Sequence, residues 1–137
     1  MLKRIDSLLA NQASFSFETT LSSKTFLKLV ERAKKQGYRV ELNYVALPSV
    51  ALAKKRVSKR VAEGGHGIPP EVVERRFYRS LNNLIHRYSK IVDQWWVYDN
   101  PMGARPKLIC WGSEKATHIV QEKKWQSLLK LAASHPS

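Results

Sequence analysis

The sequence has one cysteine, 11 acidic residues against 24 basic ones, and no apolar run approaching the length of a membrane span. Each shortage excludes something. A single thiol, Cys110, cannot build an internal disulfide framework and fits a reducing cytoplasm. It lies in the apolar run Leu108-Ile-Cys-Trp111, where a thiol fills core rather than attacks substrate. His86 and His118 are not spaced with Cys110 or with acidic residues as a metal site, so no zinc is expected. No signal-peptide pattern opens the chain. Gly-x4-Gly-Lys-Ser/Thr is missing as well; the six glycines are Gly37, Gly64, Gly65, Gly67, Gly103 and Gly112. Such a loop surrounds the β- and γ-phosphates of a nucleotide with backbone N–H groups and a lysine while a hydroxyl holds Mg²⁺. Gly64-Gly-His-Gly67 is no substitute, because no strand precedes it and it lacks the lysine.

What is present is positive charge. The formal net charge is 24 − 11 = +13, which favours an anionic partner: a nucleotide, a nucleic acid or an anionic membrane surface. A solvated basic surface without a partner is the plain alternative. A length of 137 residues suits one domain, residues 1–137, with ordinary hydrophobic content and no linker-like or repeated segment.

In chain order, Met1 to Ala10 reads as a short amphipathic helix and Phe15 to Thr20 as a short strand with Phe15 and Phe17 on one side. Ser22 or Ser23 suits the cap of a helix carrying Phe26, Leu27, Val30 and Ala33, which Gly37 ends. Tyr38 to Ala46 is the clearest strand. Further strands are read at Gln94 to Tyr98, Leu108 to Trp111 and Thr117 to Val120, the last two as a terminal hairpin; Pro101, Gly103 and Pro106 form a turn. Gln121 to Ala132 closes the chain as a helix. Strands alternating with helices argue for an α/β layered domain with a largely parallel sheet. The four tryptophans, Trp95, Trp96, Trp111 and Trp125, fit core positions, although their interleaving with basic residues also suits base stacking.

The stretch from Arg60 to Ser80 organises the rest. Upstream of it, Val50, Ala53, Val57 and Val61 share a helical face, with lysines and arginines on the others. The glycines from Gly64 to Gly67 stop that helix, and Pro69-Pro70 opens a second one in which Val73, Phe77, Leu81, Leu84 and Tyr88 face inward. Arg56 and Arg60 are four apart, as are Arg75 and Arg79, so each pair shares a face. With Arg76 they give two arginine-bearing helices on a glycine hinge, about residues 50–88, suited to closing over phosphate through bidentate guanidinium contacts. A solvated face partly paired with Glu63, Glu71 and Glu74 is the alternative. His66 is a hinge residue. Glu18-Thr-Thr-Leu-Ser22 ends a strand where an α/β sheet places its ligand crevice. Asp99-Asn100 ends another, and serves equally well as a turn before Pro101.

The blocks FSFETTLS (15–22), GYRVELNYVALPSVALAKKRVSKRVAEGGHGIPPEVVERRFYRSLNNL (37–84) and WVYDN (96–100) closely resemble the zeta-toxin-like branch of P-loop kinases, in the right order and over most of the chain. The resemblance implies an incomplete three-layer P-loop kinase-like fold, because this chain begins after the family's phosphate-binding loop and catalytic aspartate. It implies ATP and Mg²⁺ as cofactors and a small-molecule hydroxyl as phosphoryl acceptor, in some members a sugar of a UDP-linked amino sugar. Glu18 and Thr20 would hold the acceptor; some members carry an arginine where Ser22 stands, so their substrate is not assumed for this chain. Arg60, Arg76 and Arg79 are favoured as phosphate contacts, and Asp99-Asn100 lies on the nucleotide side. Little or no turnover is expected of this chain alone. The implied partners are a nucleotide or other phosphorylated small molecule, a separately encoded N-terminal kinase segment, or an antitoxin. The charge keeps a nucleic acid open, and an exposed sheet edge keeps self-association open. No membrane is expected.

Overall fold

A computed structural model describes residues 2–100 and 105–136. The expected turn at Pro101 and Gly103 lies outside the described residues. The elements in order are α1 (Leu2–Ala10), α2 (Thr25–Lys35), β1 (Glu41–Ala46), α3 (Val50–Ala62), α4 (Pro70–Asn83), a π-helical turn (Leu84–Tyr88), α5 (Ser89–Ile91), β2 (Gln94–Asp99), β3 (Lys107–Ser113), β4 (Thr117–Ile119) and α6 (Glu122–Ser134). The four strands form one sheet in the order β1-β2-β3-β4. β1 and β2 are parallel, joined by the helical crossover α3 to α5, and β3 and β4 add antiparallel as the expected hairpin. The sheet is therefore mixed, with its parallel part at β1/β2, and the α/β class with flanking helices and a helical lid stands.

One expected strand does not form. Residues 13–20 adopt no regular structure, and no strand among the described residues pairs with them. Without a ladder this backbone is satisfied at Ala13, whose N–H donates to Leu8 O and whose carbonyl accepts from the Tyr38 hydroxyl, and otherwise lies largely exposed to water. The alternation that suggested a strand is used for local ring packing instead. Phe15 stacks on Phe17 with centroids 6.4 Å apart and meets Tyr38 edge-on at 6.1 Å, and Phe17 reaches Phe26 at 5.0 Å.

Helix boundaries follow their capping chemistry. α2 and α3 both end in the paired 6→1 and 5→2 bonds that a residue of positive φ permits. Tyr38 N donates to Ala33 O and Gly37 N to Lys34 O around Gly37 at φ +86°. Gly65 N donates to Arg60 O and Gly64 N to Val61 O around Gly64 at φ +94°. α2 lacks the expected serine at its N-cap; Lys24 stands there, and the Ser23 hydroxyl accepts from Thr25 N at 3.0 Å.

The main core lies between the helices and one sheet face. Trp95 and Val97 of β2 and Cys110 of β3 meet Leu81, Leu84, Tyr88, Trp125 and Leu128 from α4, the π-helical turn and α6. Leu81 and Leu84 are each 1% exposed, and burial of each is worth about 1.5–3 kcal/mol. A smaller cluster of Ile5, Leu9, Leu29 and Ala33 joins α1 to α2. The apolar stripe of α3 is thinner than its spacing suggests: Ala53 is buried, whereas Val61 is 47% exposed. Among the described residues no helix is long and apolar enough to cross a membrane.

Candidate functional site

The parallel pair β1/β2 fixes where a site can form, because α/β ligand crevices lie beyond the carboxyl ends of parallel strands. Three residues past β1, Ser49 takes an extended conformation and its hydroxyl accepts from Leu52 N at 3.2 Å, starting α3 at the sheet end. Two turns later Arg56 reaches the end of β2. Its Nη1 and Nη2 donate to the Asn100 Oδ1 at 3.1 and 3.0 Å, with the amide oriented so that its oxygen faces the guanidinium. Asn100 is itself fixed by the ladder, its N–H donating to Ala46 O at 3.2 Å. Its neighbour Asp99 is buried and accepts from Lys124 of α6. Adjacent strand residues point to opposite faces, so Asn100 meets the lid while Asp99 meets α6.

The remaining lid arginines are open. Arg60, Arg75, Arg76 and Arg79 are exposed, and their side chains make no hydrogen bond or ion pair among the described residues. The expected pairing with lid carboxylates reduces to Lys54 Nζ and Glu74 Oε2 at 3.5 Å, which links α3 to α4. Unpaired guanidinium groups on a helix face are ready donors for a phosphate. His66 is exposed in the hinge.

Glu18 and Thr20 lie in an exposed loop rather than at a strand end. Thr20 Oγ1 and Ser22 Oγ are 2.8 Å apart, and Leu21 N donates to the Thr19 hydroxyl at 3.3 Å. Leu21 sits buried at φ +58°, an uncommon conformation for a leucine, and its surroundings hold it there. Asn83 Nδ2 donates to Leu21 O at 2.6 Å, and the Tyr88 hydroxyl donates to Ser23 O at 2.9 Å. The base of the lid's second helix thus pins the loop that carries Glu18 and Thr20. No hydrogen bond or ion pair among the described residues connects those two side chains to the lid arginines.

Sequence reasoning missed Asn83, which pins this loop, and its neighbours Ser80 and Asn82, which tie α4 to β1 and to the end of α6. Ser80, Asn82 and Asn83 are buried polar groups near the end of α4, beside the apolar stripe. Ser80 Oγ lies 2.8 Å from the Tyr44 hydroxyl, whose pKa burial pushes up to about 12 against the opposing pull of that hydrogen bond. Asn82 Nδ2 donates to Tyr78 O and to Ala132 O and His135 O at the end of α6. The π-helical turn at Leu84–Tyr88 follows directly; such turns occur often at functional sites. Two adjacent asparagines inside an otherwise amphipathic helix were the available signal, since buried amides need defined partners. A cavity of about 590 Å³ opens at the other end of the sheet, lined by Leu84, Ile85, Ser89, Lys90, Trp95, Ser113, Glu114, Thr117 and Trp125, and none of the candidate residues lines it.

Comparison with known proteins places the chain. Residues 2–102 match the model of the family described as Zeta toxin. An uncharacterized protein of Haemophilus influenzae is 35% identical over 63 residues. That match covers 46% of this chain and 45% of the relative, so the chain spans less than half the length of the curated relative it matches. No solved structure matches.

Proposed function

The chain belongs to the zeta toxin family, and on that premise we propose that it provides the lid and acceptor side of an ATP-dependent phosphotransferase acting on a small-molecule hydroxyl. The observation that carries this reading is the seating of Arg56 at the carboxyl end of β2, with Arg60, Arg75, Arg76 and Arg79 open on the same helical lid. Phosphoryl transfer needs little covalent help from protein; it needs positioning and neutralisation of charge on the transferring group. Guanidinium groups supply both.

The donor set fits the triphosphate of ATP. Arg56 is held by a neutral amide, which a phosphate oxygen can replace with a charge-assisted bond. It does not fit a protein-held Mg²⁺. Asp99 is engaged by Lys124, and among the described residues no group of three or more His, Cys, Asp or Glu could hold a metal ion. In this reading Mg²⁺ enters with the nucleotide. Glu18 and Thr20 orient the acceptor hydroxyl, a UDP-linked amino sugar being the candidate acceptor. In this reading turnover also needs a phosphate-binding loop, a Gly-x4-Gly-Lys-Ser/Thr that this sequence does not contain.

Titration calorimetry tests the reading. Mg-ATP should bind, inorganic tripolyphosphate should compete for the same site, and Arg76→Ala with Arg79→Ala should weaken both about tenfold or more. Absence of heat with either ligand, or binding indifferent to the arginines, would count against it.

A further inference from the structure

Four residues form a row across the whole sheet. The registers align Asn43 of β1 with Trp96 of β2, Trp96 with Trp111 of β3, and Trp111 with His118 of β4. Strand side chains alternate between faces, and the alternate residues Trp95 and Val97 are 4% and 0% exposed on the helix-covered side. The row therefore lies on the opposite face. Trp96 and Trp111 are partly exposed and belong to neither core cluster, unlike Trp95 and Trp125. The core-forming helices pack on the other face, and among the described residues the helix side chain that reaches this one is Arg56, at Asn100 beyond the end of β2.

The rings are arranged for stacking. Trp111 and His118 are parallel to within 17° with centroids 4.1 Å apart. Tyr98 stands next to Trp96 on the same face, its hydroxyl 3.4 Å from Asn43 Oδ1. One row further along, Arg39 Nη2 donates to Gln94 Oε1 at 2.8 Å and its Nε to Glu41 Oε1 at 2.9 Å, which places an ion-paired guanidinium at the rim.

From these observations we infer that this sheet face binds single-stranded nucleic acid by stacking bases on Trp96, Trp111 and His118. Every base presents a π-face, so an aromatic row accepts bases with little regard to sequence, and positive charge holds the backbone. A four-stranded sheet with helices on one face and aromatic side chains on the other is the arrangement by which RNA-recognition sheets splay and stack bases. The net charge of +13 favours a polyanion and opposes a second copy of the chain on this face. An apolar protein surface is a poorer complement, because the row ends in Asn43 and His118 and its rim, Val45 apart, is the polar set Gln94, Arg39 and Glu41. The inference does not rest on the phosphate-site reading: it uses Trp96, Trp111 and His118, none of which is a lid residue, although Arg56 of the lid reaches Asn100 at the end of the same face.

The test combines fluorescence anisotropy of labelled 12-mers, oligo(dT) and oligo(U), with quenching of tryptophan emission. Wild-type chain should bind both, with binding that weakens steeply as salt rises. Trp96→Ala and Trp111→Ala should each weaken binding about tenfold and remove much of the quenching, whereas Arg76→Ala should leave the quenching in place. Circular dichroism checks that each variant folds. If an alanine variant does not fold, Trp111→Phe and Trp111→Leu replace it: phenylalanine should keep most of the affinity and leucine, equally apolar but without a π-face, should lose it. Preference for one oligomer assigns the natural strand as RNA or DNA. The inference is overturned if neither oligomer binds, if binding survives both tryptophan substitutions but falls with the lid arginines, or if sedimentation shows a dimer that Trp96→Ala dissociates.

Discussion

Arg56 and Asn100 are joined across 44 positions of sequence by two hydrogen bonds, from both terminal guanidinium nitrogens to one amide oxygen at 3.1 and 3.0 Å. The contact clips the lid's first helix to the end of the central strand β2. Hydrogen bonds to charged groups contribute about 1.5–3 kcal/mol when sheltered. Arg56 is exposed, so about 1 kcal/mol is the reasonable scale. Arg56→Ala and Asn100→Ala should each lower stability by about that amount in urea unfolding, and the double variant should lose less than their sum. The two should differ toward ligand: Arg56→Ala weakens Mg-ATP binding, whereas Asn100→Ala, which frees the guanidinium, does not.

Asn83 holds the loop of Glu18 and Thr20 through Leu21 O, a bond of 2.6 Å between buried groups. Asn83→Ala leaves that carbonyl without its partner, which costs about 1–3 kcal/mol. Hydrogen exchange at Leu21 to Ser23 should accelerate more than exchange in β2. Equal protection of the loop in the variant and the wild type would separate Asn83 from loop positioning.

Alkaline stability should depend in part on Cys110 and the half-buried Tyr44, whose acidities burial lowers. Burial pushes the Cys110 thiol from 9.0 up to about 12 and the Tyr44 hydroxyl from 10.0 up to about 12. Both are raised acids, so the folded state binds the proton more tightly than the unfolded state does. Their contribution is complete below pH 9 and is lost as pH rises toward 12. Melting temperatures across pH 7 to 12 should therefore fall less steeply above pH 9 in Cys110→Ala, and above pH 10 in Tyr44→Phe, than in the wild-type chain. The comparison with wild type cancels the common effect of lysine titration.

Much of this architecture is legible in the sequence where local chemistry dictates it. Gly37 and Gly64 end helices because they take positive φ, and Pro70 starts one because its missing N–H costs nothing there. The inward face of α4 and of the π-helical turn after it follows from the spacing of Val73, Leu81, Leu84 and Tyr88. What is not legible depends on partners distant in the chain. Phe15 to Thr20 has the alternation of a strand, but a strand exists only if another pairs with it. Trp95 and Trp96 are adjacent and chemically identical; only the sheet decides that one is core and the other faces outward. Likewise Arg56 is one arginine among several on the lid until the fold brings it to Asn100.

The most direct test of the phosphate site is a thermal-shift titration with Mg-ATP on the wild-type chain, Arg56→Ala and Arg76→Ala, with sodium sulfate at matched ionic strength as the control for general anion stabilisation. A ligand that binds the native state raises the melting temperature by mass action. The account predicts a rise with Mg-ATP that exceeds the sulfate effect in wild type and largely disappears in both variants. A rise no greater than that of sulfate, or one unchanged by removal of either arginine, would contradict it.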